Sequence, residues 1–281
     1  MAYTTIDDPS EFFQTVIWSG DGSSTRSITH SGNSNLQPDW TWHKVRSHAA
    51  SHMLYDSNRG VGKRLHSDQN VAEATETNSG TITSFDSNGF SVNTGASNNF
   101  YTNESGKTYV AWNWKANGGT TSSNTDGSIT STVQANTTAG FSIVTYTGTG
   151  SSSTAGHGLN STPEIIISKG INATQDWAVH TTIIDGSMDF LVLNNTNANS
   201  NSSFSSPTST VFPTRTTNNY VAYIFHSVKG YSKIGSFKGN NSSDGAFVYC
   251  GFKPRWIMVK NASQAHANHS WIIFDSARET N

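Results

Sequence analysis

The sequence predicts an all-β protein made of tandem antiparallel β-sandwich, jelly-roll-like repeat units with little helix. Three observations lead there. A segment Pro-x-(Trp/Ile)-x-(Trp/Ile/Met)-x-Lys occurs at Pro38 to Lys44, Pro163 to Lys169 and Pro254 to Lys260. Short apolar runs are separated by clusters of Gly, Asn, Ser and Thr, as in sandwiches and jelly rolls. Helical periodicity is scarce. A pattern that recurs over tens of residues points to repeated supersecondary units rather than one enzyme fold around a single unique site.

The three prolines bring their flanks into register. Upstream, Val16-Ile17-Trp18-Ser19-Gly20-Asp21-Gly22 answers to Ile143-Val144-Thr145-Tyr146-Thr147-Gly148-Thr149-Gly150 and to Ile234-Gly235-Ser236-Phe237-Lys238-Gly239-Asn240, and Gly148 and Gly239 each precede their proline by 15 residues. Downstream, Tyr109-Val110-Ala111-Trp112-Asn113-Trp114 answers to Tyr220-Val221-Ala222-Tyr223-Ile224-Phe225. A further match joins Tyr55-Asp56-Ser57-Asn58-Arg59 to Phe274-Asp275-Ser276-Ala277-Arg278. The copies run over about 16–115, 141–229 and 233 onward. The expected organisation is an N-terminal segment plus first β repeat over 1–118, a linker rich in Ser, Thr, Gly and Asn over 119–140, a second repeat over 141–229, and a third over 230–281. That third copy lacks a Tyr-Val-Ala strand, and an unclosed unit exposes an apolar edge; a continuing polypeptide or a neighbouring segment is expected to close it.

Each element follows from local chemistry. Pro9 to Thr15, with Asp7 or Asp8 as cap, and 70–76 are the best helical candidates. The Trp40-Thr41-Trp42-His43 alternation suits a strand with one buried face, with Lys44 closing it. Ile165-Ile166-Ile167 and Trp256-Ile257-Met258-Val259 are apolar on both parities, which suits strands covered on both faces. Proline at a strand's first position costs no ladder donor. Asn88-Gly89 lies between two apolar runs, as a hairpin requires, and Asp126-Gly127 and Asp244-Gly245 are further turns.

Composition narrows the function. Charged residues make up 13%, net charge is -2 and mean hydropathy is -0.49, so no strong field attracts nucleic acid or anionic lipid. The chain holds 14 Phe, 9 Tyr and 8 Trp, far too many aromatics for a disordered chain. A single cysteine, Cys250, excludes an intrachain disulfide and reads as a small buried hydrophobe in a strand. No apolar run reaches the length of a membrane span. Met1 to Phe13 lacks the basic and apolar regions of a secretory signal.

Candidate chemistry is weak. Ser105-Gly106-Lys107-Thr108 has a phosphate-loop ending, but its partner glycine falls at Tyr101 and it leads into a strand rather than a helix. His48 and His52 would share one face of a helix, yet Ala49 stands where a metalloprotease needs glutamate; solvated loop histidines are expected, with His30, His43 and His66 nearby. No Gly-x-Ser-x-Gly elbow is present. Asp185 and Asp189 straddle a turn at Gly186, and no strand carries the paired carboxylates of a glycosidase. Neither Asp126 nor Asp244 has the further acidic ligands calcium needs. No catalytic, cofactor or metal residue is therefore assigned. The singled-out positions are structural: Pro38, Trp40, Trp42, Lys44, Tyr109, Trp112, Pro163, Ile165, Ile167, Lys169, Tyr220, Tyr223, Pro254, Trp256, Met258 and Lys260. Trp40, Trp42, Trp112, Trp114, Tyr223, Phe225 and Trp256 are expected in the core, and the three lysines as strand ends whose stems lie on apolar surface while their ammonium groups reach water.

The run Gly140 to Gly150, His157-Gly158-Leu159, the Pro163 strand, the Tyr-Val-Ala strands and Phe225-His226-Ser227-Val228-x-Gly230-Tyr231-Ser232, with the opening Met1 to Ser10, resembles a β-rich repeat family of tail-fibre and other virion proteins of marine bacteriophages. The resemblance covers nearly the whole chain and its motifs are structural. It implies a non-enzymatic virion component, a tail fibre or appendage acting as anchor or shaft in host attachment. Such a protein would be made in the host cytoplasm without a signal peptide, would use no cofactor, and would form a homo-oligomer, with a trimer favoured, bound to other tail proteins and to a host glycan. A carbohydrate-binding module and a polysaccharide-cleaving tailspike are the alternatives.

Overall fold

The computed structural model describes residues 4–75, 78–97 and 99–278. The first repeat contributes β1 (Phe13–Ser19), β2 (Arg26–Thr29), β3 (Trp40–Val45), β4 (Met53–Asp56), β5 (Lys63–His66), β6 (Ala74–Thr75), β7 (Ile82–Asp86), β8 (Gly89–Val92) and β9 (Thr108–Trp114). The second begins with β10 (Ser122–Asn124) and β11 (Ser131–Asn136). It continues through β12 (Phe141–Thr147), β13 (Thr154–Gly156), β14 (Ile165–Gly170), β15 (Ala178–Thr181), β16 (Asp189–Val192), β17 (Ser200–Asn201), β18 (Val211–Pro213) and β19 (Asn219–Phe225). The third supplies β20 (Trp256–Val259) and β21 (Ile272–Asp275). The pairings between these strands are antiparallel, so the all-β sandwich class holds.

The repeats share one topology. The first sheet runs β1-β9-β3-β4-β5-β6, and the second contains the same order as β12-β19-β14-β15-β16-β17, with β10 and β11 added beyond β12. Registers match as well: Trp42 lies opposite Trp112 as Ile167 lies opposite Tyr223. In both, the closing Tyr-Val-Ala strand sits between the repeat's first strand and its proline strand. The first and proline strands therefore do not pair with each other; the closing strand bridges them, while β3 pairs on its other edge with β4, β14 with β15, and β12 with β11.

The packing departs from one independent sandwich per repeat. One face of each repeat's main sheet enters a shared core, where Trp40, Trp42, Trp112 and Trp114 meet Phe141, Ile143, Ile167, Trp177 and Tyr223, flanked by Trp256, Met258, Trp271 and Ile273 of the third repeat. Trp40 stacks on Tyr223 with ring centroids 4.3 Å apart. The outer face of the first sheet is covered by the β2-β8-β7 sheet, whose core includes Trp18, Phe90 and Tyr109. The β13-β18 ribbon covers the second sheet, around Tyr146, Phe212 and Tyr220. A sheet buried on both sides explains why Thr41 and His43, the polar positions of β3, are also buried, against the expectation of one wet face.

Four other expectations change. Residues 119–140 are not a free linker: β10 and β11 extend the second sheet, and Gln134 accepts a hydrogen bond from the hydroxyl of Ser57 in the first repeat. Pro9–Glu11 forms one 3-10 turn capped by Asp8, but β1 takes over at Phe13; in the 70–76 candidate, Ala74 and Thr75 are strand, and Glu76 lies outside the described residues. The β20 strand, expected to be covered on both faces, leaves Ile257 43% exposed. Cys250 is half-buried and lies outside any strand. The Asn88-Gly89 hairpin joins β7 to β8 as expected.

Candidate functional site

The polar residues that sequence reading singled out, and several that it missed, gather where one repeat meets the next. Asp56 ends β4 on the core side, fully buried, and opposes Trp40. Its Oδ2 accepts from Arg59 Nε at 2.6 Å and from the Tyr223 hydroxyl of the second repeat at 2.7 Å. Arg59 also donates to Glu73 at 2.7 Å. Burial alone would lower the Arg59 pKa, but the negative charges of Asp56 and Glu73 and the nearby Tyr223 oxygen outweigh it and hold the pKa above its ordinary value. Burial, reinforced by Asp56, pushes the Tyr223 phenol well above its usual range, so it stays a donor.

The same device recurs in the third repeat. Asp275, which opposes Trp256 as Asp56 opposes Trp40, accepts from Arg278 Nε at 2.5 Å and from Trp112 Nε1 of the first repeat at 3.0 Å. Trp112 and Tyr223 occupy equivalent positions in their strands. A second set of bonds runs the same way around: Trp177, just before β15, donates Nε1 to His66 O at 2.7 Å, and Trp271, just before β21, donates to Val192 O at 3.0 Å. His66 and Val192 are themselves equivalent. The second repeat thus keys into the first, the third into the second, and the first into the third.

Lys169 shows what the repeated lysine does. Its ammonium donates to Asn70 O, Gly170 O and Ala173 O at 3.2, 2.9 and 3.3 Å, so all three protons are used and the side chain is fully buried. Burial, with Arg215 adding to it, lowers its pKa to about 8. Lys44 bonds Val45 O and His48 O, and Lys260 bonds Asn261 O and His269 O. These lysines staple the loop after the strand, and Lys169 does not reach water as a snorkelling side chain would. The acidic residue after the proline also fixes a loop. Asp39 accepts from the backbone N–H groups of Ala116, Gly118 and Gly119, and Glu164 from that of Ser227.

Of the other candidates, His48 and His52 lie in an irregular segment rather than on a helix. His52 accepts from Trp42 Nε1 at 3.0 Å, stacks over Trp112, and has its pKa lowered to about 4 by burial. The His48 ring lies against Phe100. His43 is buried on β3, with its pKa lowered to about 3 by burial. Among the described residues no three His, Cys, Asp or Glu side chains are placed to hold a metal. Ser105-Gly106 is a tight turn into β9. Asp185 caps Ser187, whereas Asp189 is buried on the core face, with Oδ1 bonded to Asn199 Nδ2 at 2.9 Å and Oδ2 without a partner among the described residues. Recesses open at the surface, one of about 280 Å³ against His180, Phe190, Phe204 and Arg215, and one of about 400 Å³ between Lys44, Arg46, His52 and Arg278. No helix is long and apolar enough to cross a membrane among the described residues.

Fold and seams together define an all-β repeat protein whose repeats lock into one another through buried polar keys. Residues 8–281 match the family described as a domain of unknown function, DUF7483, and the chain belongs to that family. No curated protein and no solved structure matches it.

Proposed function

We propose that this chain is a non-enzymatic structural component of a bacteriophage particle, a tail fibre or appendage module that serves as anchor or shaft in host attachment. The observation that carries the reading is the use made of its polar residues. Asp39, Asp56, Arg59, Lys169 and Asp275, residue types that serve chemistry in enzymes, are each occupied in fixing a loop or joining one repeat to another. Rigid repeats joined in this way suit a protein that transmits position rather than turns over substrate, and the motif resemblance to virion proteins points the same way. Assembly as a homo-oligomer would multiply weak contacts through high effective concentration. Immunogold labelling and mass spectrometry of purified particles should find the chain on the tail, and mass photometry should find an oligomer. A strict monomer absent from particles would overturn the reading.

A glycan-binding role is the second reading, and the recess beside His180, Phe190, Phe204, Asn201 and Arg215 favours it, because aromatic faces flanked by amide and guanidinium donors suit sugar rings and hydroxyls. A glycan array with wild type and Phe204→Ala tests it: retention lost in the variant supports binding there, and a blank array removes it.

A further inference from the structure

The second repeat keeps open on its outer face a place that the first repeat closes. Leu54 lies opposite Trp42 and Val179 opposite Ile167, so His180 holds in β15 the position that Tyr55 holds in β4. Tyr55 is fully buried beneath the β2-β8-β7 sheet, in one core with Ile82, Phe90 and Val92. The second repeat has the smaller β13-β18 ribbon as its cover, and the core beneath that ribbon does not take in Phe190 or Phe204. His180 therefore faces a recess of about 280 Å³, close to the small end of ligand sites. Phe190 lies across from it on β16, and the Phe204 ring stands 4.9 Å away.

The polar groups of this recess are unspent. His180 is 6% exposed, yet neither ring nitrogen has a hydrogen-bond partner among the described residues. Burial, with the charge of Arg215 adding to it, lowers its pKa to about 4, so at neutral pH the ring offers one donor and one acceptor. Arg215 is half-buried and held in place: Nη1 donates to Asp176 O at 3.2 Å and the guanidinium lies 5.3 Å over the Tyr220 ring. Its Nε and Nη2 have no partner among the described residues, and no carboxylate there pairs with it. The Asp176 carboxylate accepts from Asn194 Nδ2 at 2.7 Å, and Asp189, next to Phe190 in the strand, faces the core instead. A half-buried guanidinium without a counter-charge beside two aromatic faces is the complement of a ring that carries an anion.

Building on the glycan reading above, we propose that this recess binds an acidic sugar, a hexuronic acid residue, with its carboxylate on Arg215 and its ring against Phe204. The planar fork of the guanidinium matches a carboxylate through two parallel bonds, and partial burial protects the pair from screening. His180, Asn201 and Ser203 line the same recess and supply donors and acceptors for the ring hydroxyls. A neutral sugar would leave Nε and Nη2 without the acceptor that the carboxylate brings.

Methyl β-glucuronide and methyl β-glucoside differ only in a carboxylate or a hydroxymethyl group at the sixth carbon, so the pair isolates the charge. Titrated into the intact protein and followed by amide chemical shifts, the glucuronide should bind roughly fivefold or more tightly than the glucoside. The shifts should centre on His180, Phe190, Asn201, Phe204 and Arg215. Rising ionic strength should weaken the glucuronide and spare the glucoside. Arg215→Gln should remove the difference between the sugars, whereas Phe204→Ala should weaken both; thermal midpoints show whether each variant folds, and the wild-type pair decides the charge preference in either case. Equal binding of the two sugars by wild type overturns the acidic preference and leaves the glycan reading standing. No binding of either overturns both. A glucuronide preference that survives in folded Arg215→Gln, or shifts centred elsewhere on the chain, overturns the assignment to this recess.

Discussion

The Tyr223 hydroxyl of the second repeat donates to Asp56 Oδ2 of the first at 2.7 Å, while Arg59 holds the same oxygen from its own repeat. This one carboxylate serves both the end of its strand and the seam between repeats, so the two contributions separate by mutation. Tyr223→Phe leaves Asp56 its arginine and should cost about 1 to 2 kcal/mol. Asp56→Ala leaves Glu73 as the one carboxylate in contact with the buried Arg59 among the described residues and should cost roughly 3 to 5 kcal/mol. Urea midpoints followed by tryptophan fluorescence measure both, and a double-mutant cycle should show strong coupling between the sites.

Lys169 offers a contrast within the repeat. Lys169→Met leaves the carbonyls of Asn70, Gly170 and Ala173 without their donor and should destabilise by about 2 kcal/mol or more. Lys44→Met, at a half-buried position, should cost less. The fully buried Lys169 has its folded pKa lowered to about 8, below the ordinary 10.5, so the unfolded chain holds the extra proton between those values. Wild-type stability at this residue therefore rises from pH 8 toward 10.5, and the gap to Lys169→Met should widen over that range in denaturation curves.

Acid should unfold the protein through its histidines. Burial lowers His30, His52 and His180 to about 4 and His43 to about 3, from an ordinary 6.5. Between those values the unfolded chain binds protons that the folded chain refuses. The contribution of neutral histidine is complete above pH 6.5 and is lost as pH falls toward 4, by up to ~3 kcal/mol for each fully developed shift of this size. The thermal midpoint should drop steeply across that window, and His43→Gln should flatten the slope.

Two glycines with positive φ separate strain from collision. Gly60, at φ +97°, has no atom within 4 Å of where an alanine methyl would stand, so Gly60→Ala should cost about 1 to 2 kcal/mol for conformation alone. Gly89, at φ +123°, would place that methyl 2.0 Å from Ile28 O in the adjoining strand. Gly89→Ala should therefore cost clearly more, about 3 kcal/mol or above, because the β2-β8 ladder has to open. Melting temperatures of the two variants decide it.

Much of the architecture was legible because repetition supplies its own alignment. The three proline segments, the two Tyr-Val-Ala strands and the match of Tyr55 to Arg59 with Phe274 to Arg278 all map onto equivalent strands and turns. What periodicity could not convey was the partner of each face. Thr41 and His43 look solvent-facing because they are polar, yet a second layer covers them. Ile257 looks buried because it is apolar, yet it stands 43% exposed. The seams were hidden for a related reason: Trp177 to His66 and Tyr223 to Asp56 join residues far apart in sequence, and no local pattern links donor to acceptor. Asp189 gave no signal beyond standing near a glycine turn.

The central place of the closing strand also governs how the chain comes to its fold. Because Ser19 finds its partner in Thr108 and Thr147 finds its partner in Asn219, the opening strand of a repeat emerges from the ribosome long before the closing strand of that repeat. Each of these repeats passes through a period in which its first and proline strands are made but not yet bridged by the closing strand, and long-range pairing of this kind slows folding and prolongs exposure of sticky edges. The loops between those strands are rich in Ser, Thr and Asn rather than apolar residues, so the segments that wait for the clasp add few apolar side chains to the exposed edges.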